Sequence, residues 1–175
     1  MRYISSGEYA RFKGKDYYLF RKRREEDWLP IGYYIGSEKQ YIDEKWTTIM
    51  YKEGPYYERP ITSDEIEYLY EIDYYVICNG RKYESFIRSK GESELWVYAC
   101  SNYNRDNIEL DSKYRVVEDG RDGVFLAVPF EDVELYETKT YYDKDKFINE
   151  DERVVLSEET YLIDEPWWLE ETKDN

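Results

Sequence analysis

The chain has 175 residues, of which 41% are hydrophobic and 19% aromatic with 22 tyrosines, and its 40 acids against 25 bases leave a net charge of -15. So aromatic a composition excludes a disordered chain despite the charge, and the length suits one ordinary domain or two small ones with a tail. Histidine is absent, which removes the Ser-His-Asp triad, the Cys-His pair and the commonest zinc ligand and general base.

In chain order, runs rich in Tyr, Ile, Val and Phe predict strands at 8–13, 16–23, 28–35 and 46–52, a short piece near 56–61, and a strand at 66–73. Lys13-Gly14 sits between the first two runs, where glycine supplies the positive φ of a tight hairpin. Thr62-Ser63-Asp64-Glu65 reads as a one-turn 3₁₀ link, since Ser and Asp bond to nearby backbone. The pattern then starts again. Strands are expected at 74–79, 82–88, 94–101, 113–118, 124–128 and 133–140, with a hairpin at Asn79-Gly80 and a 3₁₀ link at Pro129-Phe130-Glu131-Asp132. A weak helix is expected at 106–110.

The second series lies over the first at an offset of 66 residues. Tyr9, Gly14 and Tyr17 fall on Tyr75, Gly80 and Tyr83, Phe20 on Phe86, and Tyr70-Glu71 on Tyr136-Glu137. Matches in one order at one offset predict an internal duplication. Five or six short strands with a one-turn link before the last predict an all-β chain of two tandem SH3-like barrels, over 1–74 and 75–142, followed by an acidic extension over 143–175. Units this small bury only about 60% of their unfolded surface, so the two are expected to pack together.

The extension holds 12 acids and 4 bases, a net of -8. It also carries two short apolar runs, 153–156 and 161–163, read as strands. Near its end Trp167 and Trp168 are ringed by Asp164, Glu165, Glu170 and Glu171. Aromatic anchors among acids suit a cationic protein partner, with the acids steering encounter and the rings giving a desolvated hot spot. These six residues are the expected partner-binding site; the bland alternative is that the tryptophans cap a barrel end.

Other motifs read as structural. Asp143 to Asp151 opens like a calcium loop, but Phe147 and Ile148 stand at the fifth and sixth positions and Val154 at the twelfth, so a charged linker is expected. Arg21-Lys22-Arg23-Arg24 is followed by Glu25-Glu26-Asp27 and is expected to pair with it across a turn. Glu65, Glu67, Glu131, Asp132 and Glu134 offer carboxylate pairs, though an acidic chain brings such pairs together without function. Cys78 falls on Phe12 in the repeat, an apolar position, and both Cys78 and Cys100 are expected to be reduced packing residues. The five Tyr-Tyr pairs should each send one ring inward and one outward.

No run of 18 apolar residues is present, so no membrane span is expected, and the first residues lack a secretory pattern. The reading is therefore a cytoplasmic protein without cofactor or metal, not an enzyme, and not a direct nucleic-acid binder. The repeated Tyr-x₄-Gly-x₂-Tyr openings at 9–17 and 75–83, with the closing segments Ser63 to Glu71 and Glu131 to Glu137, resemble small, acidic, Tyr-rich immunity-type proteins of Gram-positive toxin loci. The resemblance covers roughly residues 8–142 and carries over no functional residue. It implies a non-enzymatic inhibitor that neutralises a basic toxin, for example a nuclease. A phage-type DNA mimic that blocks a defence enzyme, and a peptide-binding adaptor using its tyrosines as a groove, are the alternatives.

Overall fold

The computed structural model describes residues 6–23, 30–38, 44–52, 54–86, 94–100, 113–120 and 123–164. They are mainly β, in antiparallel pairing throughout. The chain forms two compact units: Gly7–Ile72 with Lys139–Glu159, and Asp73–Thr138 with the described residues of Met1–Ser6 and Thr160–Asn175.

The first unit contains β1 (Gly7–Phe12), β2 (Lys15–Arg23), β3 (Pro30–Ser37), β4 (Thr47–Tyr51), β5 (Gly54–Pro60), a 3₁₀ turn (Ser63–Glu65) and the start of β6 (Tyr68–Cys78). Its strands lie in the order β6-β1-β2-β3-β5-β4. Side chains alternate along each strand, so β2 sends Tyr17 and Leu19 inward and turns Tyr18 and Phe20 out. The core gathers Ala10, Phe12, Tyr17, Leu19, Tyr33, Ile35, Ile61, Ile66 and Leu69.

The second unit takes the rest of β6, then β7 (Arg81–Phe86), β8 (Glu94–Cys100), β9 (Arg115–Gly120), β10 (Gly123–Pro129), a 3₁₀ turn (Phe130–Asp132) and β11 (Glu134–Tyr142) as far as Thr138. Its order is β11-β6-β7-β8-β10-β9, the same path strand for strand. Val76, Leu95, Val97, Val128 and Leu135 are its fully buried aliphatics. Cys78 is buried too, beside the Tyr114 hydroxyl, at the place Phe12 holds in the first unit. The Cys100 side chain and the expected helix at 106–110 lie outside the described residues.

Both hairpins close as the composition requires. Lys13 and Gly14 have φ of 50° and 73°, and Asn79 and Gly80 have 50° and 75°. Two consecutive left-handed residues make the two-residue turn whose twist matches the strands. In the first unit the turn is also pinned from outside, because the Gly14 N–H donates to Glu67 Oε1 at 2.7 Å.

Two expectations need correction. The strands expected at 66–73 and 74–79 are one continuous strand, β6, within which the two units divide at Ile72/Asp73. The two strands expected at 153–156 and 161–163 are a single strand, β12 (Val155–Ile163), paired with β11. Glu158 and Glu159 read as an interruption, but a strand exposed on both faces accommodates acids without desolvating them.

Candidate protein-binding site

The residues leading into β12 are sewn to the first unit one side chain at a time. Asp143 Oδ1 accepts the N–H groups of Asp145 and Lys146 at 3.0 and 3.1 Å, which starts a wide-turn helix at Lys146–Glu150. Lys144 Nζ donates to the Ile66 carbonyl at 2.7 Å. The Ser63 hydroxyl donates to Asp145 Oδ1 at 2.5 Å and accepts from Asn149 Nδ2 at 3.2 Å. Phe147 then enters the core between Tyr33 and Tyr142, with ring centroids 5.5 and 5.4 Å away. The segment is thus part of the hydrophobic core, where the calcium-like pattern had suggested a charged linker. An apolar Phe-Ile pair inside a charged run was the signal available in the sequence.

The helix ends at Asp151, whose φ of 60° turns the chain back so that the Asp143 N–H reaches the Val154 carbonyl at 2.9 Å. Asp tolerates this left-handed conformation better than most residues. Around the turn two guanidiniums clasp the segment. Arg21 Nη1 bonds Asp151 Oδ2 at 2.6 Å, and the Tyr33 hydroxyl donates to Asp151 Oδ1 at 2.9 Å. Arg153 bridges Glu8 and Glu71, the latter at 2.9 Å, while its guanidinium lies 5.4 Å from the Phe147 ring centre. The basic run 21–24 therefore does not simply pair with the acids that follow it: Arg21 reaches Asp151, and Lys22 pairs with Glu58 across the sheet. Glu25 to Asp27 lie outside the described residues.

Glu8, Arg21, Tyr33, Phe147, Asp151 and Arg153 line a depression of about 170 Å³. The Arg21 guanidinium, then the Tyr33 hydroxyl, holds the Asp151 carboxyl below its ordinary range. Burial raises that of Glu8 in spite of Arg153. Burial and the bond to Asp151 push the Tyr33 phenol up to about 12. Each carboxylate here is bonded to a cation of the same cluster, so the arrangement fastens a segment to the sheet. Among the described residues no group of three or more His, Cys, Asp or Glu side chains is placed to hold a metal ion.

Of the other sequence candidates, Glu65, Glu67, Asp132 and Glu134 are also bonded within the fold. Glu65 accepts from Arg59 and Lys45 at 2.7 and 2.9 Å, and the Thr62 N–H and hydroxyl point at its second oxygen. Asp132 pairs with Lys113 at 2.8 Å, and Glu134 accepts from Tyr136 at 3.0 Å. The tyrosine pairs divide as alternation demands at 17/18, 33/34, 74/75 and 141/142; Tyr56 and Tyr57 are both half-buried. Six rings of the first unit, of which Tyr70 is buried, join a ladder across the strands. Tyr34, Phe20, Tyr18, Tyr9, Tyr70 and Tyr141 follow one another at centroid spacings of 6.1, 6.1, 5.9, 5.6 and 5.7 Å. The second unit repeats the stacked pair Tyr9–Tyr70 as Tyr75–Tyr136, at 5.0 Å.

Past the clasp, β12 is exposed along almost its whole length. Val155, Leu156, Tyr161 and Leu162 keep 55, 65, 48 and 54% of their surface in water. Of the expected partner-binding residues, Asp164 is exposed one residue beyond the end of β12. Glu165, Trp167, Trp168, Glu170 and Glu171 lie outside the described residues. No family model, curated protein or solved structure matches the chain.

Proposed function

We propose that this is a non-enzymatic binding protein that neutralises a basic protein partner, in the manner of a cytosolic immunity protein, through an acidic and aromatic surface at its C-terminal end. The observation that carries the reading is β12. A nine-residue strand with four large apolar side chains about half exposed or more is unusual on a protein of this charge, and it runs directly into Asp164, Glu165, Trp167, Trp168, Glu170 and Glu171. Exposed apolar surface edged by charge marks interaction sites. A net charge of -15 accelerates encounter with a cationic protein and repels nucleic acid and anionic lipid. Among the described residues no helix is long and apolar enough to cross a membrane.

The two units, on this reading, are tandem SH3-like modules derived by duplication. The shared strand path, the paired left-handed turns and the repeated stacked tyrosines support that history.

The test is a pulldown from the native cell with the tagged full-length chain at about 50 and about 500 mM salt. A cationic protein retained at low salt and released at high salt is the expected result, because exposed charges are screened over about 4 Å at the higher concentration. A partner of acidic or neutral character, or one held equally at both, refutes it.

A further inference from the structure

The depression beside the clasp is walled by Glu8, Arg21, Tyr33, Phe147, Asp151 and Arg153, all of them in the first unit. The clasp leaves part of its bonding capacity unused. A guanidinium carries five N–H donors and no acceptor. Arg21 bonds Asp151 through Nη1, while its Nε–H, buried, has no hydrogen-bond partner among the described residues. A buried donor left unmet costs the desolvation of that group, so this wall calls for an acceptor oxygen. Glu8 has the opposite need. Arg153 pairs with it, yet burial still raises its carboxyl above the ordinary range. A further positive group beside it would hold it ionised.

Size and charge select the ligand. A volume of about 170 Å³ is well under the roughly 300–1,000 Å³ of a pocket for a drug-sized molecule, which excludes a nucleotide. It is close to the cavity of about 150 Å³ that takes up benzene, so it suits a ligand of roughly six to eight non-hydrogen atoms. The carboxylates of Glu8 and Asp151 balance the guanidiniums of Arg21 and Arg153. A simple anion is repelled by the first pair and a simple cation by the second. A zwitterion meets both pairs and adds no net charge. An α-amino acid carries its two charges on neighbouring atoms of one carbon, and an aliphatic side chain on that carbon suits the rings of Tyr33 and Phe147.

We propose that this depression binds a small free α-amino acid with an aliphatic side chain, its carboxylate on Arg21 and its ammonium on Glu8. Glu8 and Arg21 stand on β1 and β2, whereas Asp151 and Arg153 belong to the segment that follows the helix. The ligand therefore fills the seam between sheet and segment and tightens the clasp. It is a small molecule, and neither this inference nor the proposed function depends on the other.

The probe is L-valine, titrated into the isotope-labelled full-length chain and followed by nitrogen–proton correlation NMR, in which the Arg21 Nε–H gives its own resonance. Isobutyrate, which lacks the ammonium, and isobutylamine, which lacks the carboxylate, are the half-ligands, and L-tryptophan is the oversized control. Expected are a saturable shift of the Arg21 Nε–H with L-valine, at least about tenfold weaker binding of either half-ligand, no binding of L-tryptophan, and a urea midpoint that rises with L-valine concentration, since a ligand of the folded state alone stabilises it by mass action. Arg21→Lys, which keeps the charge and removes the Nε–H, and Glu8→Gln should each weaken L-valine binding by about tenfold or more. No saturable shift up to about 50 mM, a half-ligand or L-tryptophan that binds as well as L-valine, an unmoved urea midpoint, or undiminished binding in both variants overturns the proposal. The half-ligands are compared on the parent chain, so the outcome is decided even where a variant fails to fold.

Discussion

Replacing Phe147 by alanine tests whether the residues after β11 belong to the core of the first unit. The ring is 2% exposed and packs on Tyr33 and Tyr142 at 5.5 and 5.4 Å. Losing the transfer energy of a fully buried aromatic is worth about 1.5–3 kcal/mol. The cavity left under the clasp adds to this, because Tyr33 and Tyr142 are held by hydrogen bonds to Asp151 and Glu71 and relax only in part. Together these give about 3–5 kcal/mol, the usual range for a buried Phe→Ala. With a urea m-value of about 2 kcal/mol/M, the midpoint falls by about 2 M. Far-UV circular dichroism in urea reads the shift. Phe147→Leu, which preserves most of the volume, should cost under about 1.5 kcal/mol. Leu156→Ala on the exposed strand should stay within about 0.5 kcal/mol of the parent. If Phe147→Ala falls with Leu156→Ala, below about 1 kcal/mol, the segment is a solvated linker and the clasp is not a stabilising element.

Glu65 makes the acid limb of stability pH-dependent. The hydrogen bond from Arg59, ahead of that from Lys45, lowers its carboxyl from 4.5 to about 2. In that window the unfolded chain takes the proton and the folded one does not, so the contribution is present above about pH 4.5 and is lost as pH falls towards 2. Glu65→Gln should lose about 2 kcal/mol at pH 7 and show a smaller drop in stability between pH 5 and 2.5 than the parent, measured by urea midpoints at each pH. At Gly36 an added Cβ would stand 2.0 Å from the Tyr56 hydroxyl and 2.5 Å from its ring carbon; Gly36→Ala should therefore cost about 1–3 kcal/mol, and much less in a Tyr56→Ala background, as a double-mutant cycle would reveal. Arg153→Ala leaves Glu8 and Glu71 facing each other without their shared cation. Its loss, about 1 kcal/mol for so exposed an ion pair, should be greater at pH 7 than at pH 4, where protonation relieves the repulsion; equal losses at both pH values would show that only packing on Phe147 was removed.

Local chemistry made much of this fold readable. Period-two alternation of aromatic and polar residues places the strands, and Lys13-Gly14 and Asn79-Gly80 place the turns, because each depends on neighbours within a few residues. The 66-residue offset lines up Phe12 with Cys78 and Tyr70 with Tyr136, and those residues hold like positions in the two units. The clasp was not readable in this way. Arg21 and Asp151 are 130 positions apart, as are most partners in that cluster by a similar measure, and many acids in this chain compete on paper for each arginine.

Composition alone decided that the chain is acidic, aromatic, without histidine and patterned for β structure, since those are properties of single residues and of their spacing. Which charges are used up inside the fold was decided only by tertiary packing, which spends Asp151, Glu8 and Glu71 on holding Arg21 and Arg153. The same packing buries Phe147 and leaves Leu156 in water. The two side chains are apolar alike and lie nine positions apart, and only the presence of a core around the one and of water around the other separates them.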